Sequence, residues 1–136
     1  MAFSCSVTVR LYDTDAAGFL FFGSQFRLAH EALEDFLDHL GLPIAGIIRG
    51  GGTLYPVVHA EADYRAPLAV GDRLSVQVAV RAIGERSFTI GYRLLLADGR
   101  EAGSVVTVHS ALDKASGSSC PLPGAVRAAL GPHLSV

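Results

Sequence analysis

The spacing of apolar residues changes period early in this chain and later changes back, and that switch constrains the fold more than any single motif. Residues 3–11 alternate, with Phe3, Cys5, Val7, Val9 and Leu11 on one side and Ser4, Ser6, Thr8 and Arg10 on the other, as in a half-buried strand. From Ser24 to about Leu40 the positions Phe26, Ala29, Leu33, Phe36, Leu37 and Leu40 recur every three or four residues, and Glu31, Glu34, Asp35 and Asp38 fill the other side. This predicts an amphipathic helix, with Gly23 or Ser24 as its N-cap and Gly41-Leu42-Pro43 as its stop. Residues 44–54 hold Gly46 and Gly50-Gly51-Gly52 and are expected to be a flexible loop, because the glycines have neither phosphate-loop nor dinucleotide-fold spacing.

After Pro56 a period of two returns in four segments. These are about 57–65, a segment opening at Gly71-Asp72 with Leu74, Val76, Val78 and Val80 on one face, a third with Phe88, Ile90, Tyr92 and Leu94, and about 101–112 after an Asp98-Gly99 turn. A short helix is expected around 124–130. One apolar helix face has to be buried against one sheet face. The expected fold is therefore α+β, a long helix wrapped by a single antiparallel five-stranded sheet. Such a sheet has free edges, and edges invite pairing with a second copy.

Composition narrows the function. The 136 residues fit one domain spanning 1–136. Half are hydrophobic and 18% charged, the balance of a packed globule and not of a disordered chain. A net charge of −2, with scattered arginines and Lys114 as the one lysine, argues against a nucleic-acid partner, which needs clustered cations. Cys5 and Cys120 show no paired spacing. No leader pattern opens the chain and no apolar run is long enough to span a bilayer, so a soluble cytoplasmic protein without a membrane partner is expected.

Zinc-protease spacing, a Cys/His cluster and a serine-nucleophile elbow are all missing from the sequence, so no metal site is expected. What remains is Asp13-Thr14-Asp15, in a loop ahead of the long helix and followed by Gly18 and Phe19-Leu20-Phe21-Phe22. Two readings stand. The loop is an ordinary turn with one Asp capping backbone, or Asp15 faces the unpaired N–H groups of the helix start across an apolar wall. The second arrangement suits acyl transfer, with the amides holding an oxyanion and the carboxylate attacking or activating water.

The run from Tyr12 to Phe22 resembles the motif of the 4-hydroxybenzoyl-CoA thioesterase family of hot-dog proteins, and the resemblance extends from about residue 5 to 112. Within that family it looks closest to the branch acting on 1,4-dihydroxy-2-naphthoyl-CoA in phylloquinone and menaquinone synthesis. His30-Glu31-Ala32, Pro56 to Ala60, Ala66-Pro67 with Gly71 to Leu74, and Pro121-Leu122-Pro123 carry the narrower match. The resemblance implies an acyl-CoA thioesterase that needs no cofactor, CoA being part of the substrate, and that works as a homodimer assembling to a homotetramer. It places Asp15 as nucleophile or general base and the backbone N–H of Phe22 as the donor to the thioester carbonyl. Several relatives have His or Tyr at the position of Phe22, whose side chain offers no proton relay but whose backbone N–H is the same donor.

It also implies that His30 binds a substrate hydroxyl, from across a dimer interface, and that Arg86 and Ser87 contact CoA. Tyr55 and His59 join the substrate-binding set. Each has a plainer reading as a packing or solvated residue, as do Glu31 and His109. The alternative functions are a hydroxybenzoyl, short-chain or acyl-carrier thioesterase, and an acyl-CoA-binding domain without turnover.

Overall fold

The computed structural model describes residues 3–135. In chain order the elements are β1 (Phe3–Thr8), a 3-10 turn (Leu11–Asp13), α1 (Ser24–His39), α2 (Ile44–Gly50), β2 (Thr53–Leu54), β3 (Val57–Tyr64), β4 (Arg73–Ile83), β5 (Ser87–Leu95), β6 (Glu101–Ser110), β7 (Leu112–Asp113), α3 (Gly124–Leu130) and a closing 3-10 turn (Gly131–His133). Five strands form one antiparallel sheet in the order β1-β4-β5-β6-β3, and β2 pairs with β7. The helix-and-sheet expectation holds. No helix among the described residues is long and apolar enough to cross a membrane.

α1 lies on the inner sheet face. Its buried apolar residues are Leu28, Ala29, Ala32, Leu33, Phe36 and Leu37, and each large one gains about 1.5–3 kcal/mol by leaving water. They meet Leu74, Val76, Val78 and Val80 of β4 and Phe88, Ile90, Tyr92 and Leu94 of β5. Phe26 and Leu40, expected in the stripe, are only partly buried, and Leu28 and Ala32 take the central places. The helix ends as predicted. Gly41 has φ +78°, its N–H donates to the Asp38 carbonyl at 3.0 Å and that of Leu42 to Leu37 at 2.8 Å, which satisfies the last carbonyls through a left-handed residue that glycine adopts without strain.

Two expectations fail. The first strand stops at Thr8, and Leu11 is exposed in place of lying on the core face. The Asp13 carboxylate accepts the Arg10 N–H at 2.9 Å, and this local bond turns the chain out of the sheet. The segment 44–54 is also no flexible loop, since α2 and β2 occupy it. Gly46 and Gly50 lower helix propensity, but Pro43 presets the entry, Gly51 closes the helix at φ +70°, and Lys114 Nζ donates to the Ile48 carbonyl at 3.1 Å.

β3 is an edge strand. Seven of its eight residues are exposed, so an inner face that elsewhere carries α1 lies open here, beside a free backbone edge.

Candidate active site

The loop ahead of α1 is built around its first acid. Asp13 is 1% exposed, and besides the Arg10 N–H it binds Arg27 of α1 through both oxygens, with Nη2 at 2.8 Å. Arg27 also holds Glu31 at 2.9 Å and lies over the Tyr12 ring. Burial pushes the Asp13 carboxyl up, but the bonds from Arg27 and Arg10 outweigh it and hold the group below its ordinary value. A depressed acid contributes stability above its ordinary pKa and loses it as pH falls through the folded value. Asp13 is thus a strut between loop and helix. Because Arg27 is partly solvated, Asp13→Ala should lower unfolding free energy by about 2 kcal/mol, read by urea denaturation at fixed protein concentration near neutral pH. An unchanged midpoint would show that the pair holds nothing.

Asp15 has a different setting. Its Oδ1 accepts the Ala17 N–H at 2.9 Å, its own N–H donates to the Phe19 carbonyl at 3.0 Å, and Gly18 makes the turn at φ +84°. The carboxylate is exposed and carries no ion pair among the described residues. The expected apolar wall is present beside it, but Phe19, Phe21 and Phe22 are 49%, 44% and 66% exposed, so in one chain the wall is open. At the start of α1 the N-cap is Gly23, with no side-chain cap. The Ser24 N–H donates to the Phe21 carbonyl and that of Gln25 to Phe22, whereas the Phe22 and Gly23 N–H groups have no acceptor among the described residues. An exposed acid therefore stands seven and eight residues ahead of two unpaired amides. Phe19, Phe22, Gln25, Tyr64, Arg65 and Pro67 line a surface cleft of about 380 Å3 at the amide end, and the Asp15 turn joins it through Phe19.

Gln25, 1% exposed, fixes this end of the helix. Its Nε2 donates to the Asp63 and Ser104 carbonyls at 2.9 and 3.1 Å, and the missing side chain at Gly103 leaves it room, since a Cβ there would lie 2.7 Å from Nε2. Sequence reasoning missed Gln25 and the strut role of Asp13. The only signal for Gln25 was a polar residue at a position in phase with Leu28, Ala29 and Ala32.

Two of the other predicted binding residues, His30 and Tyr55, fall at a second place. An apolar cavity of about 250 Å3 lies between α1, α2 and the sheet, lined by Leu33, Leu37, Ile44, Ile47, Phe88 and others, with His30, Tyr55 and His109 as its polar members. The exposed His30 meets Glu34 through Nδ1 at 3.2 Å, and burial pushes the half-buried Tyr55 phenol up. His109 is buried, stacked on Phe88 at 4.9 Å. Its Nδ1 lies 3.1 Å from the Tyr55 carbonyl, which only accepts, so Nδ1 carries the proton; Nε2 then accepts from Thr107, which is bonded to the Tyr92 hydroxyl. Burial is the main cause holding this ring below its ordinary pKa, which favours its neutral form.

His59, by contrast, projects from the outer sheet face opposite Val108 and meets Glu61 at 3.1 Å, so the chain does not bring it to the cavity. Arg86 is tied at 3.1 Å to the Ser119 carbonyl, and Ser87 opens β5 beside it. Neither half of the predicted site contains the other. The amides sit at the Tyr64 end of β3, with the Asp15 turn tied to Phe19 of the same cleft, and Tyr55, which lines the cavity, precedes the Val57 end.

A long helix wrapped by one antiparallel sheet is the architecture of the hot-dog proteins. The family described as the thioesterase-like superfamily matches residues 9–130, and the chain belongs to it. Among its relatives, a 1,4-dihydroxy-2-naphthoyl-CoA hydrolase from Nostoc punctiforme is 33% identical, with 90% of this chain and 82% of the relative covered. One from Synechococcus sp. strain CC9605 is 36% identical, with 89% and 84% covered. Among solved structures, a 1,4-dihydroxy-2-naphthoyl-CoA thioesterase from Synechocystis superposes with a TM-score of 0.89 at 30% identity, with 96% of each chain covered. A gentisyl-coenzyme A thioesterase gives 0.85 at 28%, with 93% of this chain and 98% of that one covered.

Proposed function

We propose that the protein hydrolyses an aromatic acyl-CoA, with 1,4-dihydroxy-2-naphthoyl-CoA as the leading substrate, at a site shared by two subunits. The observation that carries this is the layout of β3. The strand is about 23 Å long, and it has the acid and amides near one end and the apolar cavity near the other. If two β3 edges pair antiparallel about a two-fold axis, the Tyr64 end of one strand meets the Val57 end of its partner. Each thioester carbonyl then lies by Asp15 and the Phe22 N–H of one subunit, and the aryl ring enters the cavity of the other. Pairing also covers the exposed edge.

In the reaction the Asp15 carboxylate adds to the thioester carbon, or takes a proton from a water that does. The carbonyl oxygen becomes an oxyanion held by the Phe22 N–H. Collapse of the tetrahedral species expels CoA thiolate, a good leaving group. The products are the free acid and CoA, and in the covalent route water then cleaves the Asp15 anhydride. A donor aimed at the oxyanion is worth about 2.7–4 kcal/mol, and protein groups supply every step. His30 at the cavity rim is placed to bond a ring hydroxyl. Arg86 keeps a guanidinium in solvent for CoA phosphate, with Ser87 beside it. A homotetramer would add a second interface to this dimer.

The test is a panel of dihydroxynaphthoyl-, 4-hydroxybenzoyl- and short-chain aliphatic CoA thioesters. The expected result is a kcat/KM at least about tenfold higher for the aryl substrates, the discrimination an apolar pocket provides. Preference for aliphatic chains, or tight binding without turnover, would contradict the reading.

A further inference from the structure

Tyr64 stands beside Phe22 at the start of α1. It ends an edge strand, is 48% exposed, and its hydroxyl donates across 42 residues of chain to the Phe22 carbonyl at 2.7 Å. The other donor to that carbonyl, the Gln25 N–H, is distant at 3.4 Å, so Tyr64 makes the strong bond. The Phe22 carbonyl and the Gly23 N–H belong to one planar trans peptide. A bond that fixes the direction of the oxygen also fixes the direction of the N–H, and it polarises the amide into a better donor. The neighbouring Phe22 N–H belongs to the Phe21–Phe22 peptide, whose carbonyl is held by Ser24 at 2.9 Å. Both free amides at the helix start thus have an anchored carbonyl. Gly23 presents its N–H without a side chain beside it, and a Cβ there would run into the Phe21 ring at 2.9 Å.

We infer that Tyr64 is a positioning residue for thioester hydrolysis. Through the Phe22 carbonyl it aims the Gly23 N–H, which joins the Phe22 N–H as a second donor to the oxyanion. This rests on the thioesterase reading above. Tyr64 acts through the Phe22 peptide, and Tyr64→Phe keeps its ring in the cleft, so the effect of losing the hydroxyl belongs to the transition state and not to binding.

The test compares wild type with Tyr64→Phe on the aryl-CoA that wild type turns over best, together with the infrared carbonyl stretch of a bound, non-hydrolysable ketone analogue in which CH2 replaces the thioester sulfur. Losing one oxyanion donor outright costs about 10²–10³ in kcat. Loosening it should lower kcat about tenfold, leave KM within about twofold, and move the bound carbonyl stretch back toward its value in water. A variant with unchanged kcat, or with KM raised and an unshifted carbonyl band, overturns the inference while leaving the thioesterase reading intact. A wild type that turns over no aryl-CoA overturns both.

Discussion

Asp15→Asn is expected to lower kcat on the best aryl-CoA by about 10²–10⁴-fold, the range that a nucleophile or general base supplies. KM should move little, because the charge removed acts on the reacting carbon and not on the ring or the nucleotide. The substitution isolates the charge. Asn retains an oxygen at Oδ1, so it still accepts the Ala17 N–H that shapes the turn, and the exposed position imposes no packing cost. Folding and assembly should therefore match wild type, and steady-state kinetics beside a thermal melt measures both. The neighbouring acid behaves in the opposite way. Asp13 is buried against Arg27, so its loss should appear in stability first. Two carboxylates two residues apart thus have opposite settings, one buried and paired with Arg27 and the other exposed. Comparable turnover by wild type and Asp15→Asn would end the account of catalysis.

Much of this was legible from period and turn chemistry. The alternation in β4 and β5 named the core strands residue by residue, because one sheet face is buried and a slip of one residue would reverse every side chain. The stop of α1 at Gly41 was legible for the same kind of local reason. α2 was not, since its Ile44, Ile47 and Ile48 have helical spacing over only seven residues that include two glycines, and what holds it, the Lys114 bond and the cavity it covers, comes from elsewhere in the fold. The end of β1 depended on Asp13, whose partner Arg27 lies 14 residues away.

The candidate site divides in the same manner. Asp15 and Phe22 stand in one contiguous motif and were visible there. The Gln25 clamp on β3 and β6, the Tyr64 bond to Phe22 and the His109–Thr107–Tyr92 chain are products of strand register. His59 shows the limit from the other side. A histidine in a strand has two possible faces, and the irregular register between Val57 and His59 puts it on the outer one.

The most direct measurement is of two defective chains that together should work. Asp15→Asn lacks the acid but keeps its cavity. Ile47→Trp with Ile48→Trp fills the cavity of about 250 Å3 and keeps Asp15. Each alone should be at least about 100-fold impaired on aryl-CoA, since proton transfer or nucleophilic attack is lost in one and ring seating in the other. Unfolded together and refolded as an equal mixture, they should form mixed dimers in about half of the population. Each mixed dimer joins an intact acid to an intact cavity at one of its two sites, so activity should return to about a quarter of the wild-type value. A mixture no more active than its components, with mixed dimers demonstrated by mass, would place acid and cavity in the same chain's site and contradict the shared arrangement.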